Sequence, residues 1–365
     1  MRIESVKEKL KDVLSKTEKI TGKNLTLPVL SCVLLTAKGN HLTVKATNLD
    51  LGIEISIPVK VQKEGTLAVP ASVFNNFISS LPSEGPIILE ENNQNLVISS
   101  SKGKTVIKTV PYDDFPTIPV VKDGNSVTLP SKDLVNGLKS VWYSSSVSTI
   151  KPELSSVCVY QEDDSLVFVA TDSFRLAEKK VKVKKGSEFE KILIPYKNIP
   201  EIVRVIENSK EVSICFNKNQ ISFSYDSVYL VSRVIDGIFP DYKQIIPKDK
   251  KTDVIVIKND LIDVLKIANI FTDQFNQVSV KVQPSKKTFE VQTKNSNVGE
   301  SSNLITATLS GEEINMNFNY KYISDCFQSI DSDTINLRFN GLNKPVVIQG
   351  VSDRSFTYLV MPMNN

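Results

Sequence analysis

The chain has 365 residues, of which 44 are Lys or Arg and 41 are Asp or Glu, giving a net charge of +3. At about 150 residues per domain, that length gives two or three domains. The near-neutral balance argues against a globally basic nucleic-acid coat and an acidic disordered tail, and 41% hydrophobic residues exclude a disordered chain.

The first amphipathic segment puts Ile3, Val6, Leu10, Val13 and Leu14 on one helical stripe. His41, the only histidine, follows Gly39-Asn40 and reads as a solvated turn residue. A catalytic triad or a histidine metal site would have to route through it. Alternating β-branched runs predict strands at 42–45 and 52–59, then a second helix on Val73, Phe74, Phe77 and Leu81. Strands are predicted at 87–90, 96–99 and 105–110, and a short linker at 120–125.

The next helix carries Leu134, Leu138, Val141 and Trp142, with Ser131 or Asp133 to cap it. Its opposite face shows Lys132, Asn136, Lys139 and Tyr143. Strands at 157–160 and 181–184 follow. The basic run 179–185 alternates like an edge strand whose charges oppose aggregation, with nucleic-acid contact as the alternative. A helix on Ile202, Val203 and Ile206 has Pro200 near its start. Strands at 212–216 and 221–225 lead to a linker at 248–252. The last third repeats the plan: a helix on Leu261, Val264, Leu265, Ala268 and Phe271, strands at 281–282, 289–293 and 304–309, a helix on Ile323, Cys326, Phe327 and Ile330, and strands at 335–339 and 356–360.

Cys32, Cys158, Cys215 and Cys326 form no C-x-x-C pair and read as buried free thiols of a reducing compartment. Apolar runs such as 166–170 and 254–257 are strand-sized, and the N-terminus has no leader-like apolar core, so a soluble cytoplasmic protein is expected.

Landmarks recur in register. Lys9-Leu10-Lys11, Gly137-Leu138-Lys139 and Val264-Leu265-Lys266 lie 128 and 127 residues apart. Segments beginning at Pro70, Pro195 and Asn319 lie 125 and 124 apart, and Thr47-Asn48-Leu49-Asp50, Thr171-Asp172-Ser173 and Thr293-Lys294-Asn295 lie 124 and 122 apart. Phe115-Pro116 and Phe239-Pro240 are spaced by 124. The chain therefore reads as three tandem units of about 122 residues, at 1–122, 126–248 and 252–365, of α+β class with antiparallel sheets covered by helices.

That tandem carries Thr171-Asp172-Ser173-Phe174-Arg175-Leu176-Ala177, Leu27-Pro28-Val29-Leu30, Phe239-Pro240-Asp241-Tyr242 and Leu359-Val360-Met361-Pro362-Met363. Over its whole length it resembles the bacterial DNA polymerase III β subunits, the replicative sliding clamps. The resemblance implies a DNA clamp fold and a head-to-tail homodimer. Its ring would encircle duplex DNA, with helices lining the hole and sheets outside. It further implies a partner cleft walled by Leu154, Thr171, Phe174, Arg175, Leu176, Pro240, Ile245, Pro345, Val346, Leu359, Met361, Pro362 and Met363. The cleft would take short motifs of the polymerase catalytic subunit, the clamp loader and repair polymerases. Where the family usually has Gly then His or Tyr, this chain has Ser173-Phe174, which changes the turn's backbone demand and removes a polar handle. Where the family often has Arg, it has Lys151. DNA-facing residues implied are Lys23, Lys132, Lys139, Lys151, Lys197 and Arg204. The dimer interface implied is Phe74 and Ile107 of one subunit against Ile270 and Phe271 of the other.

The residues also suit holding DNA without gripping it. Only six of the 44 basic residues are Arg, and Lys meets phosphate as a hydrated point charge. An enzyme is the first rival, yet the sequence has no Walker A, H-E-x-x-H or G-x-S-x-G motif, and no metal or cofactor is expected. Adjacent acidic pairs such as Glu90-Glu91 point to opposite strand faces, which suits turns and rims better than paired catalysis. A repeat-built scaffold that binds proteins but not DNA, or a specialised clamp paralogue, is the second rival.

Overall fold

The computed structural model describes residues 1–22, 26–82, 85–122, 124–183, 189–247 and 249–363. Six α-helices lie among them: α1 (Lys7–Glu18), α2 (Ala71–Ser80), α3 (Ser131–Val141), α4 (Ile199–Ile206), α5 (Lys258–Asn269) and α6 (Tyr320–Ser324). The chain divides into two contact units, one of residues 1–132 and 197–234, the other of 133–196 and 235–365.

In the first unit α1 buries Leu10, Val13 and Leu14, and packs beside α2, which buries Ala71, Phe74 and Ile78. Ile3 is not on the α1 stripe. It is buried in strand Arg2–Ser5, as is Ser5, and the strand's alternation of half-buried and buried residues follows period two. Four residues satisfy either period, so the boundary between strand and helix was ambiguous in sequence. A five-stranded antiparallel sheet runs Lys60–Lys63, Arg2–Ser5, Ile87–Asn92, Asn95–Ser100, Gly103–Lys108. An eight-stranded sheet runs Asn125–Pro130, Glu211–Phe216, Gln220–Tyr225, Val228–Arg233, Leu51–Pro58, His41–Thr47, Cys32–Lys38, Gly65–Pro70. Its middle pairing, Ile53 opposite Leu230 and Leu51 opposite Ser232, joins strands from the first and second repeats.

The second unit repeats this device. Its nine-stranded antiparallel sheet runs Ile192–Pro195, Ser156–Glu162, Ser165–Thr171, Arg175–Lys182, Phe356–Val360, Val346–Gly350, Thr334–Phe339, Thr252–Ile257, Ala307–Gly311. Here Ala177 opposite Tyr358 and Arg175 opposite Val360 join the second repeat to the third. A four-stranded sheet runs Gly299–Leu304, Thr288–Asn295, Gln277–Gln283, Ile314–Asn319. Three sequence repeats thus become two contact units, because strand pairing ties each half of the middle repeat to a different neighbour.

Several expectations are corrected. The basic run does not form an edge strand. Strand Arg175–Lys182 is central, between Ser165–Thr171 and Phe356–Val360. Its buried Lys179 reaches Ser355 Oγ at 2.7 Å and Asp353 at 3.4 Å, and Lys180 pairs with Glu162 at 2.9 Å. Lys184 and Lys185 lie outside the described residues. Buried Glu178 accepts from the Tyr242 hydroxyl. Burial, then the Glu178 carboxylate, pushes the Tyr242 phenol well up and keeps it a donor. A strand this polar is held in the interior by pairing its charges. The predicted strand 304–309 is two strands in different sheets, Gly299–Leu304 and Ala307–Gly311. Beyond α6 the helix tightens to a 3₁₀ turn at Asp325–Ser329. Three cysteines are buried, whereas Cys215 is half-buried.

Candidate functional site

The site begins with a local turn. Thr171 Oγ1 donates to the Arg175 carbonyl at 2.7 Å and accepts from Ser173 N at 3.2 Å. Asp172 Oδ1 accepts from the amides of Phe174 and Arg175, each at 2.9 Å. Thr and Asp side chains make such turns because their oxygens replace backbone acceptors. Ser173 sits at φ +78°, the conformation that glycine reaches without cost, so the backbone turn survives a strain of about 1–2 kcal/mol.

The same turn is built at Thr47–Leu51. Thr47 Oγ1 donates to the Leu51 carbonyl at 2.7 Å and accepts from Leu49 N at 3.0 Å. Asn48 Oδ1 accepts from Asp50 N at 3.0 Å and Leu51 N at 2.8 Å, and Leu49 sits at φ +77°. In the third repeat the landmark falls elsewhere. Thr293 lies inside strand Thr288–Asn295, and the turn follows Asn295, which accepts from Asn297 N at 3.0 Å.

The first two turns diverge in their side chains. At Thr171–Arg175 an aromatic platform forms. Phe174 is 60% exposed and stacks on Tyr322, with ring centroids 6.4 Å apart. Arg175 lies beneath, its guanidinium carbon 4.7 Å from the Tyr322 ring centroid. Its nitrogens bond Asp172 at 3.0 Å, Asp325, and the Tyr143 carbonyl at 2.6 Å. Arg175 therefore supports the platform with its own donors engaged, rather than offering a free charge. Asn319 caps α6 by accepting from the amides of Lys321 and Tyr322. The Tyr358 hydroxyl donates to the Tyr322 carbonyl at 2.8 Å, and burial pushes that phenol well up.

A cleft of about 440 Å³ opens on this platform, lined by Phe174, Phe275, Tyr322, Met361, Pro362 and Met363, with polar Gln274, Asn276 and Asn319 at its edge. Four of the thirteen expected residues thus gather there: Phe174, Met361, Pro362 and Met363. Arg175 lies behind the wall. Leu176 and Leu359 belong to an interior cluster with Val347, Phe239 and Tyr242. Leu154, Thr171, Pro345 and Val346 are buried. Pro240 and Ile245 are exposed on the segment whose Phe239 and Tyr242 enter that cluster. Sequence reasoning missed Phe275, Asn319 and Tyr322. Asn319 and Tyr322 lie inside a recognised repeat landmark, and Phe275 is an exposed aromatic in a polar loop.

Of the DNA-facing candidates, Lys132, Lys139 and Lys151 are exposed, and the two on α3 lie opposite buried Leu134, Leu138 and Val141. Tyr143 leaves that polar face. Its hydroxyl is 3.1 Å from Ser329 Oγ. Lys197 pairs with Asp50. Arg204 pairs with Glu201 and donates to the carbonyls of Ser15 and Lys16, capping the C-terminal turn of α1. Lys23 lies outside the described residues.

The interface candidates split. Ile270 is exposed and Phe271 half-buried, but Phe74 is fully buried in α2 packing and Ile107 is 6% exposed. Their neighbours Val73 and Val106 face outward, Val106 at 61%. A shift of one residue along a strand exchanges its faces.

The DNA polymerase III beta subunit family matches by its N-terminal domain over residues 1–119, its central domain over 128–241 and its C-terminal domain over 243–364. The beta sliding clamp of Synechocystis sp. is 30% identical over 375 residues, covering 96% of each chain, and that of Bacillus subtilis is 26% identical over 374 residues, covering 99% of this chain and 97% of its own. The solved DNA polymerase III beta subunit of Thermotoga maritima superposes with a TM-score of 0.94 at 25% identity, over all of this chain and 99% of its own. The sliding clamp structure of Bacillus subtilis gives 0.94 at 24%, with the same coverage. With three clamp domains matched in order along its length, the chain belongs to the DNA polymerase III beta subunit family.

Proposed function

We propose that two copies of the chain close head to tail into a ring around duplex DNA and carry the polymerase catalytic subunit, and in turn the clamp loader and repair polymerases, through the cleft at Phe174. A sliding clamp is a processivity factor and not an enzyme, so what needs explaining is retention and recruitment. The repeated strand junction is the observation that carries the ring. Leu51–Pro58 pairs with Val228–Arg233, and Arg175–Lys182 pairs with Phe356–Val360. By position in the repeat, Gly299–Leu304 is the third strand of the first kind and Gly103–Lys108 the third of the second kind. Each ends its own sheet with an open edge. The hairpins preceding Val228–Arg233 and Gly103–Lys108 both close across two-residue loops, which aligns Val231 with Val106. The same antiparallel pairing between subunits would set Val106 opposite Gly299. Such a contact is heterologous and closes after two copies.

The small net charge suits sequence-blind sliding, because topology supplies persistence and few phosphate contacts are needed. The exposed Lys132 and Lys151 support that role better than Lys197 and Arg204, which are held in ion pairs. No described helix is long and apolar enough to cross a membrane, which is compatible with action on cytoplasmic DNA.

The test is retention. Loaded onto nicked circular DNA by its cognate loader, the protein should stay bound through gel filtration and run off when the circle is cut. Retention on linear DNA with free ends, or failure to load, would reject the clamp mechanism.

A further inference from the structure

The chain contains four methionines. Met1 and Met316 are buried, at 2% and 4% exposure. The other two, Met361 and Met363, are half-exposed and line the same cleft as Phe174, Phe275 and Tyr322. The chain's accessible thioether sulfur is therefore concentrated in one apolar surface. We propose that Met361 and Met363 form a reversible oxidation site that switches partner docking off. This inference rests on the reading of the cleft as the docking site.

The chemistry needs a peroxide. The thioether sulfur attacks one peroxide oxygen, the O–O bond breaks, and that oxygen stays on sulfur as a sulfoxide while the other leaves as water. Sulfur loses two electrons and the peroxide gains them. A methionine sulfoxide reductase reverses the step with two thiols, which become a disulfide as the oxygen leaves as water. The product is a strong hydrogen-bond acceptor where a soft apolar group stood, so a docking apolar side chain would have to desolvate it without a partner.

The local structure confines the change to the side chains. Met361 N donates to the Phe174 carbonyl at 2.8 Å, and Met363 N donates to the Asn317 carbonyl at 2.8 Å. The segment that follows strand Phe356–Val360 is thereby held through backbone groups and not through the sulfurs. Three of the four thiols compete poorly for the oxidant. Cys32, Cys158 and Cys326 are buried, and burial pushes the Cys158 thiol up to about 12 and raises the other two. The reactive thiolate is scarce in each case.

The experiment treats the full-length protein with hydrogen peroxide. It maps oxidised methionines by mass spectrometry and measures binding of a fluorescein-labelled C-terminal peptide of the cognate polymerase catalytic subunit by anisotropy. Met361 and Met363 should gain oxygen at least about tenfold faster than Met316. Peptide affinity should fall about tenfold or more, and methionine sulfoxide reductase should restore it. In the Met361→Leu/Met363→Leu variant, whatever affinity it starts with, peroxide should leave that value unchanged. Three outcomes would overturn the proposal: oxidised protein that binds as tightly as untreated protein, an equal peroxide-induced loss in the double variant, or loss that the reductase does not repair. If untreated protein fails to bind the peptide at all, the docking reading falls and takes this proposal with it.

Discussion

At the scale of single residues, the cleft rests on a cation that lies behind its lining side chains. Arg175 joins Asp172 of the turn, Asp325 beyond α6 and the Tyr143 carbonyl, and carries the Tyr322 ring on its face. Lysine keeps the charge but not the planar fork. Arg175→Lys should lower stability by about 2 kcal/mol, the value of one lost charge-assisted bond. Peptide affinity should fall about tenfold, because each 1.4 kcal/mol lost at the platform costs a factor of ten. In a Tyr322→Leu background the same change should cost little further affinity. Denaturant melts and peptide anisotropy check this. An undiminished effect without Tyr322 would mean that Arg175 meets the partner directly. The turn itself was legible, since Thr171-Asp172 announces its hydrogen bonds. Arg175's role was not, because Asp325 lies 150 residues away.

At the scale of elements, each helix reports how its repeat is packed. The α3 stripe was readable from period 3.6, and Leu134, Leu138 and Val141 are buried as it predicts. Less visible was Gly137, where an added Cβ would lie 2.3 Å from the Phe168 ring. Alanine is favoured over glycine in a helix by about 1 kcal/mol. Here Gly137→Ala should nevertheless destabilise the protein by about 1–3 kcal/mol through overpacking. A chemical denaturation curve decides it, and a neutral or stabilising result would refute close packing of α3 on strand Ser165–Thr171. Strand Arg175–Lys182 teaches the converse. Its Glu178, Lys179 and Lys180 look like solvent-facing residues, and only partners from distant segments let the strand sit centrally.

At the scale of the whole molecule, the prediction concerns closure. Val106 faces out of the open strand edge while Ile107 faces in. Val106→Glu should convert a dimer to monomers in light scattering without shifting the unfolding of the chain. Ile107→Glu should unfold the first domain by placing a charge in its core, at a cost of several kcal/mol. Equal effects from the two variants would show that this edge is not the closing surface.

The sequence by itself determined the threefold repeat, the α+β class, the apolar stripes of the helices and the family resemblance. These rest on local periodicity and on landmark spacing, which one chain displays directly. Tertiary structure decided which strands of different repeats pair, which face of strand Gly103–Lys108 is covered, and that Tyr322 and Phe275 line the cleft at Phe174. It also decided that Arg204, a phosphate candidate in sequence, is spent on α1 carbonyls 188 and 189 residues away. The physical reason is the same throughout. Alternation defines two faces without saying which is buried, and a charged side chain's role is set by whichever distant partner the fold brings within bonding distance.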